Sequence, residues 1–380
     1  MIAAEIASLR AYRTIGATLA VLACFALTSA RADARISAET IAARQKFFGI
    51  ENVDPNTGQV RNDRVIFSWT GVSGFAASLK GHVVLMDSYI ARDGGARFGP
   101  PPGILNHWFG MAYVGATPQE LAALKPELAL IGHTHFDHNG DLPTVVRANP
   151  GMPVMGTAEH CDDLLAFVPD ANCISIFAKG APLGTMFFVP QNMLPGVSII
   201  AVKHPHSSAS PNPVLDPPFA FTTPLASCTV RTDYPVQPDE PLAWGAPGVG
   251  PGATGVGPPS GLISIMWHFT TGKFGVAWED TAGYIANTPV VDAFMKLPKT
   301  DVRLASIVVS GRSVMELHNQ LLKPKLFIPL HHDSCGYLIR KDFEATIAAT
   351  NPRPPEVWFL SDPSDYLRPI VFDPDDKAWQ

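Results

Sequence analysis

Four side chains able to bind a metal crowd into six residues, His133-Thr134-His135-Phe136-Asp137-His138, directly after the apolar run Leu128–Ile131. Imidazole nitrogens and carboxylate oxygens are the ordinary ligands of a borderline divalent cation such as zinc. Residues two apart in an extended segment face the same side. His133 and His135 therefore point together, and Asp137 and His138 turn toward a second position. One tight loop at the end of a buried strand can thus face two cations. A chain carrying such a loop must bring further ligands to it from distant segments, which constrains its fold.

The rest of the chain reads as layered α/β. A helix is expected over Glu39–Phe48. Short apolar runs at Arg64–Trp69, Phe75–Leu79 and His82–Met86, broken by Gly71, Gly74 and Gly81, read as strands. Thr117-Pro118-Gln119-Glu120 carries a helix start: a capping Thr, Pro in the first turn and Glu three residues on. Helices are expected at Pro118–Leu124, Leu142–Ala148, Thr157–Phe167, Val290–Met295, Val314–Leu322 and Lys341–Ala348. Strands are expected at Leu128–Ile131, Pro153–Met155, Ile174–Phe177, Met186–Val189, Val197–Val202, Leu262–Phe269, Phe274–Trp278, Leu304–Val309 and Leu326–Leu330. Paired strands followed by strand–helix alternation predict helices packed on sheets. Residues 207–261 break the pattern with twelve prolines and seven glycines, yet keep Phe219, Phe221, Leu242 and Trp244. That stretch is too apolar for a flexible linker and reads as an irregular excursion over the site, with a surface loop as the alternative.

The N-terminus has the layout of an export signal. Arg10 and Arg13 precede the apolar run Ile15–Leu27, and Ala30-Arg31-Ala32 follows as a small-x-small cleavage pattern. Cleavage is expected after Ala32, leaving one domain over 33–380, exported to the periplasm or beyond, with no stable membrane span. An uncleaved anchor is the alternative. Cys24 leaves with the signal, so Cys161, Cys173, Cys228 and Cys335 remain, an even number that permits two disulfides in an oxidising compartment. Proximity favours Cys161 with Cys173 and leaves Cys228 for Cys335; four free thiols are the alternative. The net charge of −6 supplies no basic field, so nucleic acid is not expected as a partner. A small-molecule substrate is, and the oligomeric state is left open.

The Gly132–Asp141 run resembles the signature loop of the metallo-β-lactamase superfamily, a family of αβ/βα sandwiches with metals at one edge. The likeness extends over about Arg64 to Leu360. His82–Asp87 resembles the strand that ends in a structural aspartate. Gly196–Val202 resembles the strand that delivers a third histidine, where the offset from Gly196 favours His206 over His204. Gly275–Gly283 resembles the strand and Asp-Thr-x-Gly segment of the bridging carboxylate. Phe327–His331 resembles the strand of the last histidine. The resemblance implies two divalent metal ions, zinc first, with Mn2+ or Fe2+ as alternatives. His133, His135 and His206 would hold one, Asp137, His138 and His331 the other, and Asp280 would bridge them. Glu279 competes with Asp280 for that role, and the Asp-Thr-x-Gly context favours Asp280. His332 should face away from His331. His160, in a helix beside Cys161, reads as a packing or surface residue, and His82, His107, His268 and His318 as structural.

The implied activity is hydrolysis of an ester, lactone, amide or phosphodiester by a metal-bridging hydroxide, with Asp137 orienting the attack and handling a proton. The ligand pattern looks most like the ascorbate-phosphate-lactonase-like branch. An iron-dependent oxidoreductase on the same fold is one alternative, and a metal-holding protein without turnover is another.

Overall fold

The computed structural model describes residues 36–90, 115–207, 221–222, 259–307, 312–332, 337–338, 344–345, 347–349, 354–360 and 363–379. The expected signal peptide, the Cys228–Cys335 pair and most of the 207–261 excursion lie outside the described residues, as do parts of the helix expected at Lys341–Ala348.

Two seven-stranded mixed sheets form the inner layers. The first uses β1 (Val65–Gly71), β2 (Gly74–Leu79), β3 (His82–Met86), β4 (Leu128–Leu130), β5 (Val154–Thr157) and β6 (Cys173–Phe177), with the C-terminal strand β16 (Pro369–Phe372) beyond β1. The second runs in the order β15 (Glu356–Val357), β13 (Leu326–Leu330), β12 (Val302–Ser306), β11 (Phe274–Glu279), β10 (Ile263–Thr271), β8 (Ser198–Pro205) and β7 (Met186–Phe188). A small pair, β9 (Phe221–Thr222) with β14 (Tyr337–Leu338), stands apart from both. Each large sheet begins antiparallel and turns parallel: from β3 through β6 in the first, and from β11 through β13 to β15 in the second.

Alternation along the strands builds the layers. Val65, Phe67 and Trp69 of β1, Val84 and Met86 of β3, and Leu128 and Leu130 of β4 face inward. There they meet Ile265, Trp267 and Phe269 of β10 and Leu326, Ile328 and Leu330 of β13 in one inter-sheet core. The opposite faces are covered by helices. Ile66, Val83, Leu85 and Ala129 pack against α1 (Ala38–Phe48), α2 (Pro118–Ala123), α4 (Leu142–Ala148) and α5 (Ala158–Phe167). Val202, Met266 and Ala277 pack against α6 (Pro289–Met295), and Ala305 and Phe327 against α7 (Arg312–Leu322). The result is the four-layer αβ/βα sandwich expected from the sequence.

Local chemistry sets the helix starts. Thr117 Oγ1 accepts the N–H of Glu120 at 3.2 Å while Glu120 Oε2 accepts the N–H of Thr117 at 2.9 Å, and Pro118 fills the first turn. Such a cap contributes about 1 kcal/mol. At α5, Thr157 caps His160 in the same way, with the imidazole in place of the carboxylate. A disulfide joins Cys161 of α5 to Cys173 of β6, as proximity suggested.

Candidate metal centre

The site lies where the parallel strands of both sheets end. Asp87 follows β3, His133 follows β4, Asp280 follows β11 and His331 follows β13, so four segments reach one edge of the sandwich at their carboxyl ends. The two sheets are also stitched there: Ile265 N–H donates to Gly132 O at 2.9 Å, and Trp267 Nε1–H donates to Ile131 O at 3.0 Å.

Beyond β4 the chain stays extended through His135 and then makes one helical turn, α3 (Phe136–Asn139), that the sequence reading treated as a loop. The turn brings Asp137 to 3.2 Å from His331 and packs the His138 ring 3.9 Å from that of His133. Asn139 locks it, donating from Nδ2 to His133 O and to Asp87 Oδ1, both at 2.6 Å. Asp87, in the left-handed region at φ 55°, accepts the Gly132 N–H at 2.9 Å and holds Nδ1 of His138 at 3.0 Å. It is thus the structural aspartate the resemblance implied.

All seven expected residues come together. Three groups have ligand atoms within 4.8 Å of one another: His133, His135 and His206; His133, His138 and Asp280; and Asp137, His138 and His331. Consecutive distances trace a continuous run of side-chain contacts through these residues. His135 Nδ1 lies 3.1 Å from His133 Nε2, and His133 Nδ1 lies 2.5 Å from Asp280 Oδ2. Asp280 Oδ2 lies 3.6 Å from His138 Nδ1, His138 Nε2 lies 3.8 Å from Asp137 Oδ2, and Asp137 Oδ2 lies 3.2 Å from His331 Nε2. His206 closes on the first end, with its ring 4.7 Å from that of His133 and 4.9 Å from that of His135. Its Nδ1 faces Ser207 O at 2.8 Å. A carbonyl only accepts, so the proton sits on Nδ1 and the Nε2 lone pair is free for a cation.

The electrostatics fit cations. Burial, with the neighbouring imidazoles, pushes His133 well below the usual histidine value. Burial likewise takes His135 down to about 4 and His206 to about 3. These rings are neutral at pH 7 and offer lone pairs without first losing a proton. Asp280 is pushed well above the carboxylate range by burial and then by Asp87 and Asp137. Among the described residues, its Oδ1 and His135 Nε2 are buried without a hydrogen-bond partner. Buried carboxylates crowded together with orphaned ligand atoms are what a bound divalent cation relieves. Asp137 differs. Burial works against its charge, but His138, His331 and His135 around it hold its carboxyl well below the usual range.

The competing sequence candidates point elsewhere. His204 is fully buried on the helix-covered face of β8, and Glu279 pairs with Arg303 on the helix-covered side of β11. His332 stacks on Trp69 with ring centroids 5.6 Å apart, and His160 reaches Ile263 O at 2.8 Å. The end of the proline-rich excursion does abut the site. A Cβ on Gly261 would lie 2.3 Å from His135 Cδ2, and Ser260 Oγ bonds Thr134 Oγ1 at 2.8 Å. Sequence reasoning missed Ser73, whose Oγ donates to Asp280 O at 2.7 Å, and Asn139, although the latter sits inside the signature run.

This architecture, with its histidines and aspartates at the carboxyl edge of two mixed sheets, is the metallo-β-lactamase fold. No family model matches the chain. It is 43% identical over 56 residues to a UPF0173 metal-dependent hydrolase of Pyrobaculum calidifontis, a stretch covering 15% of this chain and 24% of that one. It is 28% identical over 179 residues to a UPF0173 metal-dependent hydrolase of Polynucleobacter asymbioticus, covering 46% of this chain and 52% of that one. The chain thus spans between a quarter and about half of the length of these relatives. Among solved structures it is similar to Igni18, a metallo hydrolase from Ignicoccus hospitalis, at 14% identity and a TM-score of 0.48, covering 81% of this chain and 98% of that one. It is also similar to the metallo-beta-lactamase fold protein YhfI from Bacillus subtilis, at 11% identity and a TM-score of 0.43, covering 82% and 99%.

Proposed function

We propose that the chain is a metal-dependent hydrolase with a dinuclear centre, acting on an ester, lactone, amide or phosphodiester. The observation that carries this reading is the overlap of three buried ligand groups, His133, His135 and His206, then His133, His138 and Asp280, then Asp137, His138 and His331, each with its ligand atoms within 4.8 Å. His133, His135 and His206 would hold one cation, Asp137, His138 and His331 the second, with Asp280 shared. When bound, two divalent cations supply Lewis acidity that lowers the pKa of water toward neutrality and polarises a carbonyl or phosphoryl oxygen.

The chain's own residues supply orientation and proton handling. Asp137, whose carboxyl its histidine neighbours hold ionised, would accept a hydrogen bond from an incoming water and take its proton. Asp87 and Ser207 fix the tautomers of His138 and His206, leaving the opposite ring nitrogens as ligands. The likeness to the ascorbate-phosphate-lactonase-like branch, the finer reading of the ligand pattern, has its test in substrate turnover. The experiment is an activity screen over lactones, phosphodiesters, thioesters and β-lactams, on protein whose metal content is measured alongside. Metal-dependent turnover of one class supports the proposal, and no turnover by fully loaded protein overturns it.

We also infer export with cleavage after Ala32. The Cys161–Cys173 disulfide supports it, because such bonds persist in oxidising compartments. N-terminal sequencing of the mature protein tests it, and a chain that keeps Met1 contradicts it.

A further inference from the structure

Behind the metal centre, on the helix-covered side of the second sheet, lies a group of buried polar side chains that the proposed chemistry does not use. Glu279, Arg303 and His318 are fully buried, and Asn319 nearly so. They come from three elements: β11, β12 and α7. Arg303 reaches Glu279 Oε2 with Nε at 3.2 Å and Nη2 at 2.5 Å, and its Nη1 donates to Asn319 Oδ1 at 2.8 Å. His318 meets the Glu279 carboxylate through Nδ1 at 3.2 Å and the Gly283 carbonyl through Nε2 at 3.1 Å.

Taking charges out of water is costly, and well-packed apolar side chains of the same volume stabilise a fold as well or better. Fold stability alone is therefore a poor account of this group. Its attachment points suggest another. Successive residues of a strand face opposite sides, so Glu279 is held at the back while Asp280, the next residue, faces the ligand cluster. Gly283, three residues beyond Asp280, is held by His318. The segment carrying Asp280 is thus pinned on both sides from one buried network.

The same segment rests on the strand end that presents His206. A Cβ on Gly283 would lie 2.3 Å from Pro205 O and 2.5 Å from His206 O, so only the bare backbone fits there. Ser207 N–H donates to Thr281 Oγ1 at 2.8 Å. A shift of residues 281–283 would move Asp280 and His206 together.

We propose that Arg303 and His318 are positioning residues for the metal centre, holding Asp280 and His206 in register through Glu279 and the Gly283 carbonyl. This rests on the metal-dependent reading above. Neither residue touches a ligand atom; both act through the backbone of the segment they pin.

The test is the zinc affinity of the purified full chain, measured by competition with a chromogenic chelator, alongside the thermal midpoint by circular dichroism. His318→Leu removes both contacts and should weaken zinc binding about 10- to 100-fold, the usual scale for losing a group that orients ligands. His318→Gln keeps a donor of similar reach and should recover most of the loss. Leu121→Ala, on the buried face of α2 over the other sheet, lowers the midpoint and should leave affinity unchanged. Should His318→Leu fail to fold, Arg303→Lys, which keeps the charge but loses the forked contact, carries the test with an expected loss of about tenfold. Wild-type affinity in folded His318→Leu or Arg303→Lys overturns the proposal. So does an equal loss of affinity in Leu121→Ala. A wild-type protein that takes up no zinc or other divalent cation sinks the metal reading itself, which distinguishes that failure from this one.

Discussion

The Asp87 carboxylate holds His138 by its Nδ1, 3.0 Å from Oδ2, while Oδ1 takes the Gly132 N–H at 2.9 Å and the Asn139 amide at 2.6 Å. One buried carboxylate therefore fixes a ring, the start of the ligand run and the turn that follows. Asp87→Asn keeps the shape but can present an amide to Nδ1, which disfavours the tautomer that leaves Nε2 free. Zinc affinity should fall about 10- to 100-fold. Chelator competition measures it, and unchanged affinity would remove Asp87 from the account.

Gly132 shows how closely the first ligand strand approaches the second sheet. A Cβ at this position would lie 2.0 Å from Asp280 Cγ and 2.1 Å from its Oδ2. Gly132→Ala must displace the Asp280 carboxylate, at a cost of about 1–3 kcal/mol in overpacking. Loss of metal should accompany the lower stability. A folded Gly132→Ala protein with full metal content would show that Asp280 is not needed as a ligand.

Asp137 separates holding the metal from orienting water. Asp137→Asn removes charge and basicity while the other ligands and the core remain. The turnover number should drop at least about 10²-fold, the scale for losing a positioned acid–base group. Near-normal turnover at normal metal content would take Asp137 out of the mechanism.

Three buried histidines outside the site set an acid limit on stability. Burial takes His160, His204 and His268 down to about 4 from an ordinary value of 6.5. Between those values the unfolded chain binds protons that the folded chain does not, so stability rises with pH across that window. The contribution is complete above pH 6.5 and is lost as the pH falls toward 4. Thermal midpoints of metal-free protein should therefore decline over that range, and His268→Gln should flatten the decline. A midpoint independent of pH from 6.5 to 4 would contradict this.

The ligand run was legible because its members are neighbours in sequence and its geometry is local. Elements governed by local chemistry were equally clear: His82–Met86, Leu142–Ala148 and Leu326–Leu330 fall where hydrophobic patterning put them, and Thr117 caps where expected. What sequence could not give is set by distant partners. β16 has no strong pattern of its own, and it is a strand because Val65 lies opposite Phe372. The two-residue strand β15 likewise exists through its pairing with β13. Ser73 looks like any turn serine until the fold brings Asp280 O to it. The left-handed backbone at Val72 and His331 is also a tertiary outcome. His331 at φ 64° donates its N–H to the Val72 carbonyl at 2.9 Å, and Val72, β-branched, sits at φ 52° only because its neighbours impose it. His318 shows no pattern in the sequence, since its partners Glu279 and Gly283 meet it only in the folded chain.

The most direct test of the central claim is the number of cations bound per chain. Native mass spectrometry of the mature protein titrated with zinc, checked by elemental analysis, reads it without reference to any substrate. The overlapping ligand groups from His135 to His331 predict saturation at two ions per chain, with loss of one or both in His133→Ala and Asp280→Ala. Saturation at a single ion, or no retained metal at all, would contradict the dinuclear centre.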